Sequence, residues 1–138
     1  MIRRNEVRLG VAAVGLLLSV SMASAAAPVT MDGWRYTAGP NGLHVFVCAR
    51  VDCVPGSRLV CQSKPPHSAL LPGILRKWDE MAAELSGEPP EVRTKSHRLS
   101  GIVDSATSQY VLISSSNDEY ASRANLARFE KALQEASK

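Results

Sequence analysis

Three cysteines, Cys48, Cys53 and Cys61, are spaced C-x4-C-x7-C, close enough to cross-link, to share a metal ion or to act as thiol nucleophiles. If the hairpin carrying them turns at Val54-Pro55, Cys48 and Cys61 face one another across paired strands. Opposed Cα atoms there lie ~4.5–5.5 Å apart, inside the ~4.4–6.8 Å that a disulfide spans. A Cys48–Cys61 bridge is therefore expected ahead of Cys53–Cys61 or Cys48–Cys53, and it would stabilise a small domain by on the order of 3 kcal/mol. It leaves Cys53 as the odd thiol, on the loop from Arg50 to Gly56. Arg50 would lower its pKa and Asp52 would oppose that, so the types alone do not set its reactivity.

Other groups offer different chemistry. His44 and Cys48 lie four apart on one face of a strand, and Cys53, Cys61, His67 and His97 would complete a thiolate and imidazole set for zinc or copper. None has the tight C-x2-C or H-x3-H spacing of a dedicated metal site, and no C-x-x-C is present for disulfide exchange. A thiol or metal-handling protein using Cys53 with His44 or His67 is thus the alternative reading, and a packed, hydrogen-bonded His44 the plainer one. Arg93, Lys95 and His97 alternate with Thr94, Ser96 and Arg98. On a strand this puts three basic groups on one face, as an anion or lipid-headgroup site or as charges that keep an edge strand from pairing with another sheet.

Nothing reads as catalytic, and no cofactor is implied. Ser114-Ser115-Ser116 has no G-x-S-x-G elbow. Asp79-Glu80 and Asp118-Glu119 are sequence neighbours, which point in different directions on a helix and so form no acid/base pair. Phosphate loops, calcium loops and dinucleotide fingerprints are missing.

The elements that must position these residues follow from periodicity. Trp34 to Thr37 reads as a short strand, with Trp34 and Tyr36 packed on the core, and Gly39-Pro40-Asn41-Gly42 as a turn. Leu43 to Cys48 is a buried strand, and Arg58 to Gln62 alternates Leu59 and Cys61 against Arg58, Val60 and Gln62 as a half-buried one. Ile74, Leu75, Trp78, Met81, Ala82 and Leu85 share one helical face, and that helix stops near Ser86, at Gly87 and Pro89-Pro90. Val92 to Val103 and Tyr110 to Ile113 form a second hairpin, with Val103 against Tyr110 and Ile102 against Val111. Ser116 and Glu119 have capping-box spacing ahead of a helix from about Asp118 to Gln134, striped by Leu126, Phe129 and Leu133. The order β-β-β-α-β-β-α predicts an α+β fold, an antiparallel sheet of about five strands covered by two helices.

Residues 1–25 read as an export signal. Arg3, Arg4 and Arg8 precede an uncharged stretch from Leu9 to Val20, and Ala23-Ser24-Ala25 supplies small residues for cleavage. Twelve apolar residues rise only about 18 Å as a helix, too little for a permanent anchor. Cleavage removes Arg3, Arg4, Glu6 and Arg8, a net +2, so the formal charge falls from +3 to +1. A near-neutral exported domain is a poor partner for nucleic acid. A flexible leader, 26–33, then precedes a single domain, 34–138, in an oxidising compartment where disulfides persist.

The closing segment, Ile102-Val103, Tyr110–Ser116 and Asn117–Leu133, resembles the end of the small α/β sandwiches of the Mog1/PsbP-like group, in which a last hairpin strand feeds a C-terminal helix lying on the sheet. The resemblance implies a binding or assembly-accessory role. Together these readings predict a small exported protein of the periplasm or exterior, non-catalytic, contacting an unidentified protein or small ligand of the cell envelope. A secreted effector or adhesin is a further alternative. The contact surface is expected between helix and sheet or at the cysteine hairpin loop.

Overall fold

β-branched and aromatic residues dominate Trp34–Ala38 (β1) and His44–Cys48 (β2), Arg58–Lys64 (β3) carries the apolar Leu59-Val60-Cys61 run, and the three pair in order as antiparallel neighbours. A computed structural model describes residues 27–64, 72–104 and 109–137. The remaining elements are a helix Pro72–Leu85 (α1), a single turn of helix Pro90–Arg93 (α2), strands His97–Asp104 (β4) and Gln109–Ser116 (β5), and a helix Glu119–Ala136 (α3). The five strands form one antiparallel sheet in the order β1-β2-β3-β5-β4, the predicted fold class. The export signal and His67 lie outside the described residues.

The helices take opposite faces. On one side α3 lies over β4 and β5, and its Phe129 and Leu133 pack with Phe46, Leu59, Leu112 and Trp34. Phe46 and Phe129 meet edge to face with ring centroids 5.3 Å apart. On the other side α1 lies over β3 and β5, burying Trp78 and Ala82 against Val45, Val60, Val111 and Ile113. Each large side chain so buried contributes ~1.5–3 kcal/mol. Because β3 is central and both its faces are covered, Arg58, Leu59, Val60 and Cys61 are all buried. The alternation expected of a half-buried strand is real in direction, but from Arg58 to Cys61 neither face meets water.

The second hairpin has the expected register, Val103 opposite Tyr110 and Ile102 opposite Val111. The first does not. Cys61 faces His44, and Val47 faces Arg58, so the hairpin is centred on Asp52-Cys53 rather than Val54-Pro55. Two turns fill the connection: Cys53 N–H donates to Arg50 O, and Ser57 N–H donates to Val54 O around Pro55-Gly56, with Gly56 at φ +79° as the third residue of that turn requires. This longer excursion moves Cys61 four residues along the ladder from Cys48.

α1 ends where expected. Gly87 takes φ +73°, its N–H donates to Glu84 O, and Glu88 N–H donates to Ala83 O, closing the carbonyl end of the helix. Its buried stripe is rotated from the predicted one: Ile74 and Leu85 are exposed, whereas Asp79 and Ala83 are fully buried. Pro90 does not simply block helix. At the first position of a turn its missing N–H costs nothing, and α2 forms there. In consequence β4 starts at His97 and not near Val92. The N-cap of α3 is Asp118, whose carboxylate accepts from Ala121 N–H at 2.9 Å. Ser116, expected in that role, is the last residue of β5.

Candidate functional site

The cysteines resolve first. Cys48 is bonded to Cys53, with Cα atoms 6.2 Å apart, and Cys61 is the unpaired one, buried at the sheet centre. The expected Cys48–Cys61 bridge and free Cys53 are both overturned, by the four-residue difference in register. Burial pushes the Cys61 thiol up to about 12, because a thiolate there has lost its water. With Cys48 and Cys53 joined, the proposed thiolate set loses two of its members. His44 is hydrogen-bonded to the Tyr36 hydroxyl through Nδ1 at 2.8 Å, and burial lowers its pKa. No group of three or more His, Cys, Asp or Glu side chains suited to a metal ion occurs among the described residues.

Charge instead gathers on the α1 side, at one end of the sheet. Arg58 of β3 and Arg98 of β4 both oppose Ser115 of β5, so the three side chains share a face, and α1 lowers Asp79 onto them. Asp79 accepts from Arg58 Nε at 2.8 Å and Nη2 at 2.9 Å, from Arg98 Nε at 2.7 Å, and from Ser115 Oγ at 2.8 Å. Arg58 also donates to the Glu88 carboxylate, to Gly56 O and to Ser96 Oγ. Burial alone would raise the Asp79 pKa, but hydrogen bonds and charge from Arg58, with help from Arg98 and Ser115, hold it below its usual value. For Arg58, burial works against the charged form, and Asp79 and Glu88 outweigh it, so its pKa is raised. Both members are locked in their ionised forms.

The serine run divides between the faces by strand alternation. Ser115 serves Asp79. Ser114 Oγ donates to Ser122 O at 2.7 Å, and Ser116 Oγ meets Ser122 Oγ at 2.8 Å, on the α3 side. Ser122 Oγ in turn donates to His97 O at 2.7 Å. These hydroxyls tie helix to sheet.

Over the ion cluster lies an open groove of about 390 Å³, walled by Glu80 and Glu84 of α1, by Pro90 and Arg93 of α2, and by Arg98. Arg58 forms its floor, already committed to Asp79 and Glu88. Arg93 is different: it lines the groove, while its Nε is buried and has no hydrogen-bond partner, a condition that costs ~1–3 kcal/mol. Arg98 spends its Nε on Asp79 while its side chain stays 34% exposed. The basic strand face predicted from Arg93, Lys95 and His97 does not exist as such. Arg93 ends α2, Lys95 is exposed in the turn that follows, His97 opens β4, and of the three only Arg93 lines the groove. Arg98, 19 residues from its charged partner Asp79 in α1, joins it there through the β4–β5 ladder. The missed residues are Arg58, Asp79 and Arg98. An arginine opening an apolar strand and an aspartate between Trp78 and Ala82 were the available signals. A smaller hollow of about 250 Å³ borders the Cys48–Cys53 bridge and Glu88.

No protein-family model, curated protein or solved structure matches this chain.

Proposed function

We propose that this chain is an exported, non-catalytic binding protein of the cell envelope that holds the carboxylate of its ligand in the groove between α1, α2 and β4. The observation that carries this reading is the presence of Arg93 and Arg98 together on the wall of one open groove, with the Arg98 side chain 34% exposed. Two guanidinium groups so placed suit a carboxylate, which accepts from both with charge-assisted bonds. Glu80 and Glu84 on the facing wall disfavour polyanions such as nucleic acid and favour a ligand with a single negative group. The chemistry of the cluster also supports a binding role: the four donors on Asp79 leave it no free lone pair directed at a substrate proton. Export is read from residues 1–25. Among the described residues no helix is long and apolar enough to cross a membrane. The resemblance of the closing hairpin and helix to Mog1/PsbP-like sandwiches points toward the same kind of role.

The test is a titration of N-acetyl-leucine followed by the arginine Nε–H signals in nitrogen-edited NMR. Saturable shifts at Arg93 and Arg98, much weakened in Arg93→Gln, are expected. An unchanged spectrum would remove the groove from consideration.

A further inference from the structure

The arginine groove does not end at Arg98. A second hollow shares Arg98 with it and continues past Leu75 and Ser100, and a third shares Leu75 and Ser100 and reaches Ile102. Arg98, Ser100 and Ile102 oppose Ser115, Ile113 and Val111 of β5, so all three side chains stand on the α1 side of the sheet. α1 packs on β3 and β5, however, while the helix over β4 is α3, on the opposite face. The α1 side of β4 is thus left open, and Ile102 is 51% exposed. The result is a trough about 13 Å long at ~3.3 Å per strand residue. Its Arg93 end is charged, and its Leu75 and Ile102 end is apolar.

β4 is also an edge strand. It is bonded to β5 alone, so alternate peptide groups along its eight residues face away from the sheet, the arrangement that an added strand completes. Every strand pair in the sheet is antiparallel. A segment added in the same sense runs opposite to β4, and its carboxyl end arrives beside Arg98 and Arg93.

On these grounds, and resting on the carboxylate-binding reading above, we infer that the ligand is an extended peptide with a free C-terminal carboxylate that adds antiparallel to β4. Its carboxylate lies between Arg93 and Arg98, and its alternate apolar side chains lie along Leu75 and Ile102. An amphiphilic fatty anion matches the trough but leaves the β4 backbone groups unpaired. The peptide satisfies the arginine, the apolar surface and the strand edge together.

The experiment compares four probes on the intact mature protein: acetyl-Leu-Ser-Val-Ser-Leu with a free carboxylate, the same peptide amidated, decanoate and N-acetyl-leucine. Calorimetry gives affinities, and amide exchange gives the location. The free-acid peptide is expected to bind at least tenfold tighter than its amide and than N-acetyl-leucine, and to slow exchange along His97–Asp104. Ile102→Glu should weaken the peptide more than tenfold and leave N-acetyl-leucine unaffected, and an unchanged thermal midpoint in that variant shows that the fold survives. If the peptide binds no tighter than N-acetyl-leucine and β4 exchange is unchanged, the strand-addition inference fails while the carboxylate groove stands. If neither probe binds, both fail. Decanoate outcompeting the peptide, or concentration-dependent self-association abolished by Ile102→Glu, would assign the trough to an amphiphile or to a second copy and overturn the inference.

Discussion

The two faces of one sheet are stabilised by different physics. Under α3, Phe46, Leu59, Leu112, Phe129 and Leu133 make an apolar core, bordered by the Cys48–Cys53 bridge and closed by hydroxyl bonds between β5 and Ser122. Under α1 the apolar part is smaller, and one end is built from Arg58, Asp79, Glu88, Arg98 and Ser115. Burying ions is expensive, and a well-packed apolar replacement is often as stable or more so. The contrast teaches that stability alone does not explain the α1 side. Fixing Arg58 and Arg98 in place beneath an open groove fits the binding role proposed for that face.

The largest blow to this contrast should come from Asp79→Ala, which leaves Arg58 buried with only Glu88 to balance it. A loss of ~3–5 kcal/mol in chemical denaturation is expected, comparable to the ~3–5 kcal/mol of Phe129→Ala on the other face. Acid separates the two variants. The folded Asp79 pKa lies below its unfolded value of about 3.9, so the stability it contributes is complete above that pH and is lost as pH falls further, through the folded value. Wild type should therefore destabilise more steeply than Asp79→Asn below about pH 4, and hydrogen exchange should show α1 opening before α3. Parallel acid curves would erase the distinction between faces.

Smaller effects sharpen the α3 side. Replacing Cys48 and Cys53 together with serine removes a bridge of sequence separation 5 and should cost about 2 kcal/mol, because so short a loop restricts the unfolded chain modestly. Asp118→Ala removes the α3 cap and should cost about 1 kcal/mol, read from the thermal midpoint.

Much of this scaffold is written in local pattern. The strands from Trp34, His44 and Arg58, the β4–β5 register, the stop at Gly87 and the Phe129–Leu133 stripe follow from alternation, turn residues and helical spacing. What local pattern does not carry is the count of residues in an irregular connection. Cys48 pairs with Cys53 because nine residues separate β2 from β3 in place of a tight turn, and that difference is invisible to strand alternation. The role of Asp79 is hidden for a related reason. A carboxylate beside Trp78 reads as solvated until two arginines, one from a strand 21 positions earlier and one 19 later, are brought to it by the sheet. The groove inherits the same difficulty, since Arg93 and Arg98 come together only once α2 ends and β4 begins between them.

The deep placement of Cys61 has an outcome for how the chain matures. Oxidative folding of three thiols risks scrambling, in which a free thiolate attacks a finished bridge. With its pKa pushed up to about 12 by burial, Cys61 is almost entirely protonated at neutral pH, and a low thiolate fraction together with poor access slows such attack. Cys48 and Cys53, five residues apart, can meet before any sheet exists. Once β3 is seated between β2 and β5, the buried Cys61 sulfur is shielded from the Cys48–Cys53 bridge.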